Sequence, residues 1–150
     1  MNAQTQIELN AILRKVQGLG SDVQRGVKSD LKEAAGIIVS TEKGLTPVGT
    51  KQHARYSGGK AVAVYKPGNL RRSIQILPLR RGKSSVLVGP KTGRGSVDGF
   101  YARFLEFGTK YITPRRFIER AEQTAGPIAQ RFALELIKRR VERYINANSK

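Results

Sequence analysis

The chain has no cysteine and no tryptophan, and one histidine and one methionine among 150 residues. Without cysteine there is neither a disulfide framework nor a thiolate to bind metal or attack a substrate. His53 is the sole histidine, so His-rich metal sites and histidine relays are not expected. No apolar run approaches the roughly 18 residues that a membrane-spanning helix needs, so a soluble protein without membrane contact is expected. The opening residues show no basic run leading into an apolar core, and no signal peptide is expected. A chain of this length suits one domain and can bury about 68–70% of its unfolded surface, enough to fold without a staple.

Acid is scarce as well. Asp plus Glu is 11 against 28 Lys plus Arg, a formal net charge of +17. Residues 1–42 hold five basic and five acidic groups, and residues 98–150 hold eleven and six. Residues 43–97 hold twelve basic groups and no acid at all. A small domain needs a net charge of only about 2–8 for solubility. The excess therefore implies an anionic partner or acidic neighbours in an assembly, against the plain alternative of a solvated basic surface.

Helical spacing of Val23, Val27, Leu31, Ala34, Ala35 and Ile38 predicts a main helix over about 22–42. Ser21-Asp22 would cap it, and Gly44 and Pro47 would end it. Residues 49–60, GTKQHARYSGGK, are polar, basic and Gly-rich and read as a long loop. AVAVY (61–65) is a short strand or an apolar loop tip. Pro67-Gly68-Asn69 marks a turn in which Asn69 can cap a helical turn through Arg71-Arg72. SIQILPL (73–79) and SSVLVGP (84–90) predict a β-hairpin, with Pro78 ending the first strand early or placing it at an edge.

Asp98 can cap a short helix through GFYARFLEF, closed by Gly108 in a left-handed conformation. Read as a strand, the same stretch alternates Tyr101, Arg103, Leu105 and Phe107. Pro114 restarts helical sequence, and Gly126-Pro127 is expected to break it. The second piece carries one stripe of Leu134, Ile137, Val141, Tyr144 and Ile145, and another of Ile128, Phe132 and Leu136. Two stripes suit burial against two surfaces, the chain's own sheet and a neighbouring subunit, or a helix sunk deep in its own core.

Together these elements predict an α+β fold: a long N-terminal helix and a C-terminal helix packed on a small, mainly antiparallel sheet, with a long basic loop. One domain is expected over 1–150, with an arm or short helix over 1–20, a core over 21–145 and a tail over 146–150.

Catalytic and cofactor signatures are missing. Gly82-Lys83-Ser84 looks like the end of a phosphate-binding loop, but Leu77 stands where its first glycine belongs. The Gly-rich run 89–99 does not match the dinucleotide fingerprint, no serine sits in a nucleophile elbow, and the acids after residue 97 form no metal-binding pattern. No enzyme activity, metal or cofactor is expected. The basic groups fit nucleic acid better: Arg55, Lys60, Arg71, Arg72, Arg80, Arg81, Lys83, Lys91 and Arg94 sit in turns and loops that phosphates can reach, with Tyr56 and Tyr65 interleaved. Such binding would be sequence-nonspecific, directed to double-stranded nucleic acid and weakened by salt.

Three stretches in order carry a resemblance: KPGNLRRSI (66–74), VLVGPKTG (86–93) with FYARFLEFGT (100–109), and PRRFIERA (114–121). They resemble the tail-component, or neck-protein, family of long-tailed bacteriophages, related to lambda minor tail protein Z. On this resemblance the structural motif residues are Gly68, Leu70, Ser73 and Ile74, then Tyr101, Glu106, Phe107, Gly108 and Thr109, then Pro114, Phe117 and Ala121. Arg116 departs from the pattern by standing where a proline is expected, and residues 49–60 look like an insertion.

The resemblance implies a structural, non-enzymatic virion protein at the head–tail junction or the top of the tail, assembled in the host cytoplasm. By similarity it would form a six-fold ring around the path of double-stranded DNA. Its neighbours would be head-closure, tail-terminator or tail-tube proteins. The basic residues would then face DNA or acidic partners, and Ile128, Phe132 and Leu136 a neighbouring subunit. Tyr101, Phe104, Leu105 and Phe107 would be core or interface anchors. Glu106 would be structural, accepting hydrogen bonds from the following turn or pairing with an Arg.

Overall fold

A computed structural model describes residues 11, 12, 14, 16, 20–77, 85–93 and 97–148. Two long helices frame it, α1 (Ser21–Leu45) and, at the far end of the chain, Phe117–Asn148. Between them come β1 (His53–Ser57), β2 (Lys60–Tyr65), the short helix α2 (Asn69–Ser73), β3 (Ile74–Leu77), β4 (Leu87–Pro90) and the short helix α3 (Ala102–Phe107), so that Phe117–Asn148 is α4. The class is α+β, as the patterning predicts. The strands form two separate two-stranded antiparallel sheets rather than one. In the first, His53 lies opposite Tyr65; in the second, Ile74 lies opposite Pro90 and Leu77 opposite Leu87.

The helix predicted over 22–42 is α1, longer by a few residues at its C-terminal end. Gly20 is its N-cap and makes no side-chain cap; the Gly20 carbonyl accepts from Val23 and Gln24, while Ser21 and Asp22 lie in the first turn. Gly44 does not end it, because the helix runs through to Leu45. The pairing expected of 73–79 with 84–90 is present as Ile74–Leu77 against Leu87–Pro90, while Pro78 and the connection 78–84 lie outside the described residues. The segment expected as a long loop does not stay one: His53–Ser57 pairs with Lys60–Tyr65 around a turn at Gly58-Gly59, both with positive φ. Polar composition hid this hairpin, although a Gly-Gly turn is what such a connection requires.

The largest correction concerns α4. Gly126-Pro127 does not break it; the helix is continuous through Pro127. A proline there removes one N–H donor and in an exposed helix would cost about 3 kcal/mol. Burial on both sides outweighs that cost. Phe117, Ala121, Ala125, Ala129, Ala133 and Ile137 follow one another at steps of four and are all buried. This row runs into Ile137, Val141 and Tyr144 of the first expected stripe, which pack with Val23 and Val27 of α1. Its alanines let the two helix backbones approach closely, and its large ends seed two clusters.

One cluster gathers Val16, Val23, Val27 and Ile137, with Leu31, Val141 and Tyr144 against it. The other gathers Leu70, Ile74, Ala102 and Phe117, flanked by Val39, Leu45, Val88, Tyr101 and Leu105. The first ties the start of α1 to the end of α4, and the second ties the end of α1 to the start of α4, so the helices run antiparallel.

Candidate assembly and nucleic-acid surface

The motif around Glu106 builds a turn and a helix start. Both Glu106 carboxylate oxygens are engaged: Ile118 N–H donates to Oε2 and Glu119 N–H to Oε1, each at 2.9 Å. Glu106 thus caps α4 from eleven residues upstream of Phe117, satisfying two N–H groups that a helix start leaves without partners. Its negative charge also lies against the positive end of the helix. Gly108 has φ +78 and ψ 178, a positive-φ but not a left-handed helical conformation. A Cβ there would lie 2.7 Å from the Ile112 carbonyl oxygen. The chain then folds back, with Thr109 N–H donating to that oxygen at 2.9 Å.

Arg116, in the place where a proline is expected, has φ +46, and its N–H donates to the Glu106 carbonyl at 3.4 Å. A proline can supply neither that dihedral nor that donor. Phe107 is 81% exposed and so is not a core anchor, whereas Tyr101 and Leu105 pack against the second cluster.

Glu42 on α1 is fully buried, and its Oε1 has no hydrogen-bond partner among the described residues. Burial, and then the charge of Glu106, push its pKa up to about 7. Sequence reading missed this group, because its burial depends on α3 and α4 closing over α1.

Asp98 is not a helix cap. It is buried, and its Oδ1 accepts from Phe100 N–H at 3.0 Å and Gly93 N–H at 3.3 Å. Tyr65 donates its hydroxyl to Oδ2 at 3.0 Å, and burial is the main cause raising the Tyr65 pKa. Asn69, also buried, is stitched to the same residue: Asp98 N–H donates to Asn69 Oδ1 at 3.3 Å, and Asn69 Nδ2 donates to the Asp98 carbonyl. Asn69 begins α2 instead of capping it; Gly68, with φ +76, is the N-cap. Leu70 and Ser73 are buried beneath, with Ser73 Oγ donating to the Leu70 carbonyl at 2.7 Å.

The basic residues separate into groups. Arg55 turns onto the body of the protein, 3.6 Å from Asp98 and 4.6 Å from the Phe100 ring centre. Lys60 is exposed at the hairpin turn, and Arg71 and Arg72 are exposed on α2, Arg72 donating to the Pro67 carbonyl at 3.1 Å. Exposed Lys91 lies close to them along the backbone, since its N–H donates to the Ser73 carbonyl at 2.8 Å. Arg80, Arg81, Lys83 and Arg94 lie outside the described residues. On α4, Ile128 is 49% exposed, and Phe132 and Leu136 are half-buried along the flank of the buried row. Phe117 is fully buried and Pro114 exposed.

An open groove of about 950 Å³ runs beside Phe100, Arg103, Phe107, Pro114 and Ile118. Its one buried acid is Glu106, whose oxygens are already engaged. Among the described residues no three His, Cys, Asp or Glu side chains are grouped to hold a metal, and no helix is long and apolar enough to cross a membrane.

No curated protein and no solved structure matches the chain. A family model does, over residues 10–108, which takes in the first two motifs through Gly108 and stops short of PRRFIERA. Its description is "Bacteriophage HK97-gp10, putative tail-component", and the chain belongs to that family of phage structural proteins.

Proposed function

We propose that this protein is a non-enzymatic virion subunit that forms a ring at the head–tail interface, completing the tail or joining it to the capsid around the DNA path. Membership of a phage tail-component family carries the reading. The charge supports it: a stretch of 55 residues with twelve cations and no acid suits a place beside DNA or beside acidic rings. Buried acids add to the imbalance, because Asp30, Glu42, Asp98 and Glu106 are all withdrawn from the surface. By similarity a six-fold ring is the arrangement, with Ile128, Phe132 and Leu136 of α4 as the surface offered to a neighbouring copy. Three of these four buried acids have structural work, Asp30 with Arg140 and Glu106 and Asp98 with backbone N–H groups, which supports a role without catalysis.

Electron microscopy of lysates from a phage in which this gene is disrupted tests the reading. Separate DNA-filled heads and tails, or tails of abnormal length, are expected. Normal joined virions would overturn it and bring forward the other reading of the charge, sequence-nonspecific binding to duplex DNA by the free chain.

A further inference from the structure

The β1–β2 hairpin is unfinished as a folded unit. It is two-stranded, and neither outer edge is paired among the described residues. A lone hairpin has little stability of its own, and open edges invite pairing. Its inner face is occupied: Tyr65 is buried against Asp98, and Arg55 lies over Phe100. Its remaining large side chains are left in water. Tyr56, Val62 and Val64 are 68%, 56% and 55% exposed. Val62 bulges where the register passes from Arg55–Ala63 to Tyr56–Ala61. Three such residues on one short hairpin exceed the single scattered exposures of an ordinary surface. Around them Lys51, Lys60 and Lys66 are exposed, with no acid between residues 43 and 97.

That combination selects among occupants. Sequence-neutral contacts to duplex DNA are made by cations and polar groups, so aliphatic Val62 and Val64 gain nothing from phosphate. Two copies meeting hairpin to hairpin would set lysine against lysine, which costs free energy. An apolar surface edged with Asp and Glu satisfies both the valines and the lysines.

We propose that the outer face of the β1–β2 hairpin docks a different protein, one presenting an apolar face or strand edge rimmed by acidic side chains. The inference rests on the assembly role proposed above for the expectation that this protein is a neighbouring virion component.

A benzophenone amino acid placed at Val62, with exposed Lys32 on α1 as the control position, tests it in cells producing the phage. Irradiation at position 62 is expected to join the chain to a second phage protein, identified by mass spectrometry, through a peptide of apolar residues flanked by Asp or Glu. Lys51→Glu, Lys60→Glu and Lys66→Glu together are expected to lower that yield at least tenfold, with the fold unchanged by circular dichroism. A product with a second copy, a product with DNA, no product, or a yield indifferent to the charge reversal would each overturn the inference. Virion morphology after gene disruption judges the head–tail reading separately, so the two can fail independently.

Discussion

Arg140 grips Asp30 through two hydrogen bonds, Nε to Oδ2 at 2.6 Å and Nη2 to Oδ1 at 2.7 Å, and so bolts α4 to α1. Asp30 is buried, and the guanidinium passes over Gly26, where a Cβ would lie within 2.6 Å of Cζ. Removing one partner leaves the other charge stranded, so Asp30→Ala is expected to cost about 3 kcal/mol. Gly→Ala within a helix normally stabilises by up to about 1 kcal/mol, but Gly26→Ala is expected to destabilise by displacing Arg140. Urea midpoints at constant slope read both.

Glu106 holds two N–H groups at the start of α4. Glu106→Ala is expected to lose about 2 kcal/mol, and Glu106→Gln about half of that, since an amide keeps one acceptor oxygen. Thermal unfolding followed by circular dichroism checks the order. A loss near zero for Glu106→Ala would show that the cap contributes little, and equal losses that one retained acceptor does not hold it.

Glu42 gives the stability a direction in pH. Its pKa, about 7 in the folded chain against 4.5 ordinarily, means that the folded state holds the proton more tightly. Between those values the native state binds more protons than the unfolded one, so stability falls as pH rises from about 4.5 to about 7 and is level above. The loss is expected to be on the order of 3 kcal/mol at most. Glu42→Gln should remove it and stand above the parent at pH 8. Because the charge of Glu106 adds to the shift, Glu106→Gln should narrow the same pH window.

Arg116 carries a positive φ that costs a non-glycine residue about 1 kcal/mol or more. Arg116→Gly is expected to stay within about 1 kcal/mol of the parent, the relieved backbone offsetting the lost contact with Glu119. Arg116→Pro is expected to cost about 2 kcal/mol or more, since it loses both the dihedral and the N–H bond to Glu106. Parallel denaturation curves decide this.

Ile128 separates folding from assembly. Being half exposed and off the buried row, it should accept Ile128→Glu with a change within about 0.5 kcal/mol. If α4 meets a neighbouring copy there, the variant should remain monomeric in analytical ultracentrifugation where the parent forms rings. Unchanged rings would move the subunit contact off this face.

Much of the frame was legible locally. The 3.6-residue period marked α1, β-branched runs marked β3 and β4, and the withdrawal of acid from residues 43–97 marked the basic centre. Three short motifs carried the resemblance, and the family match over residues 10–108 takes in the first two of them. Each of these is a property of neighbouring residues or of a simple count, so it survives without knowledge of the fold.

What the tertiary structure alone decided depends on residues far apart in sequence. Pro127 reads as a helix break until Ala121, Ala125, Ala129 and Ala133 are seen pressed on α1, and alanines give too little hydrophobic signal to announce that face. Asp98 and Asn69 each resemble a local cap, but they satisfy one another across 29 positions because both are buried and must find partners. Glu42 looks like any helix-surface acid until α3 and α4 close over it and bring Glu106 near. Composition and periodicity set which elements form; burial, which no single segment contains, set which polar groups must pair and which apolar ones, such as Tyr56, Val62 and Val64, stay uncovered.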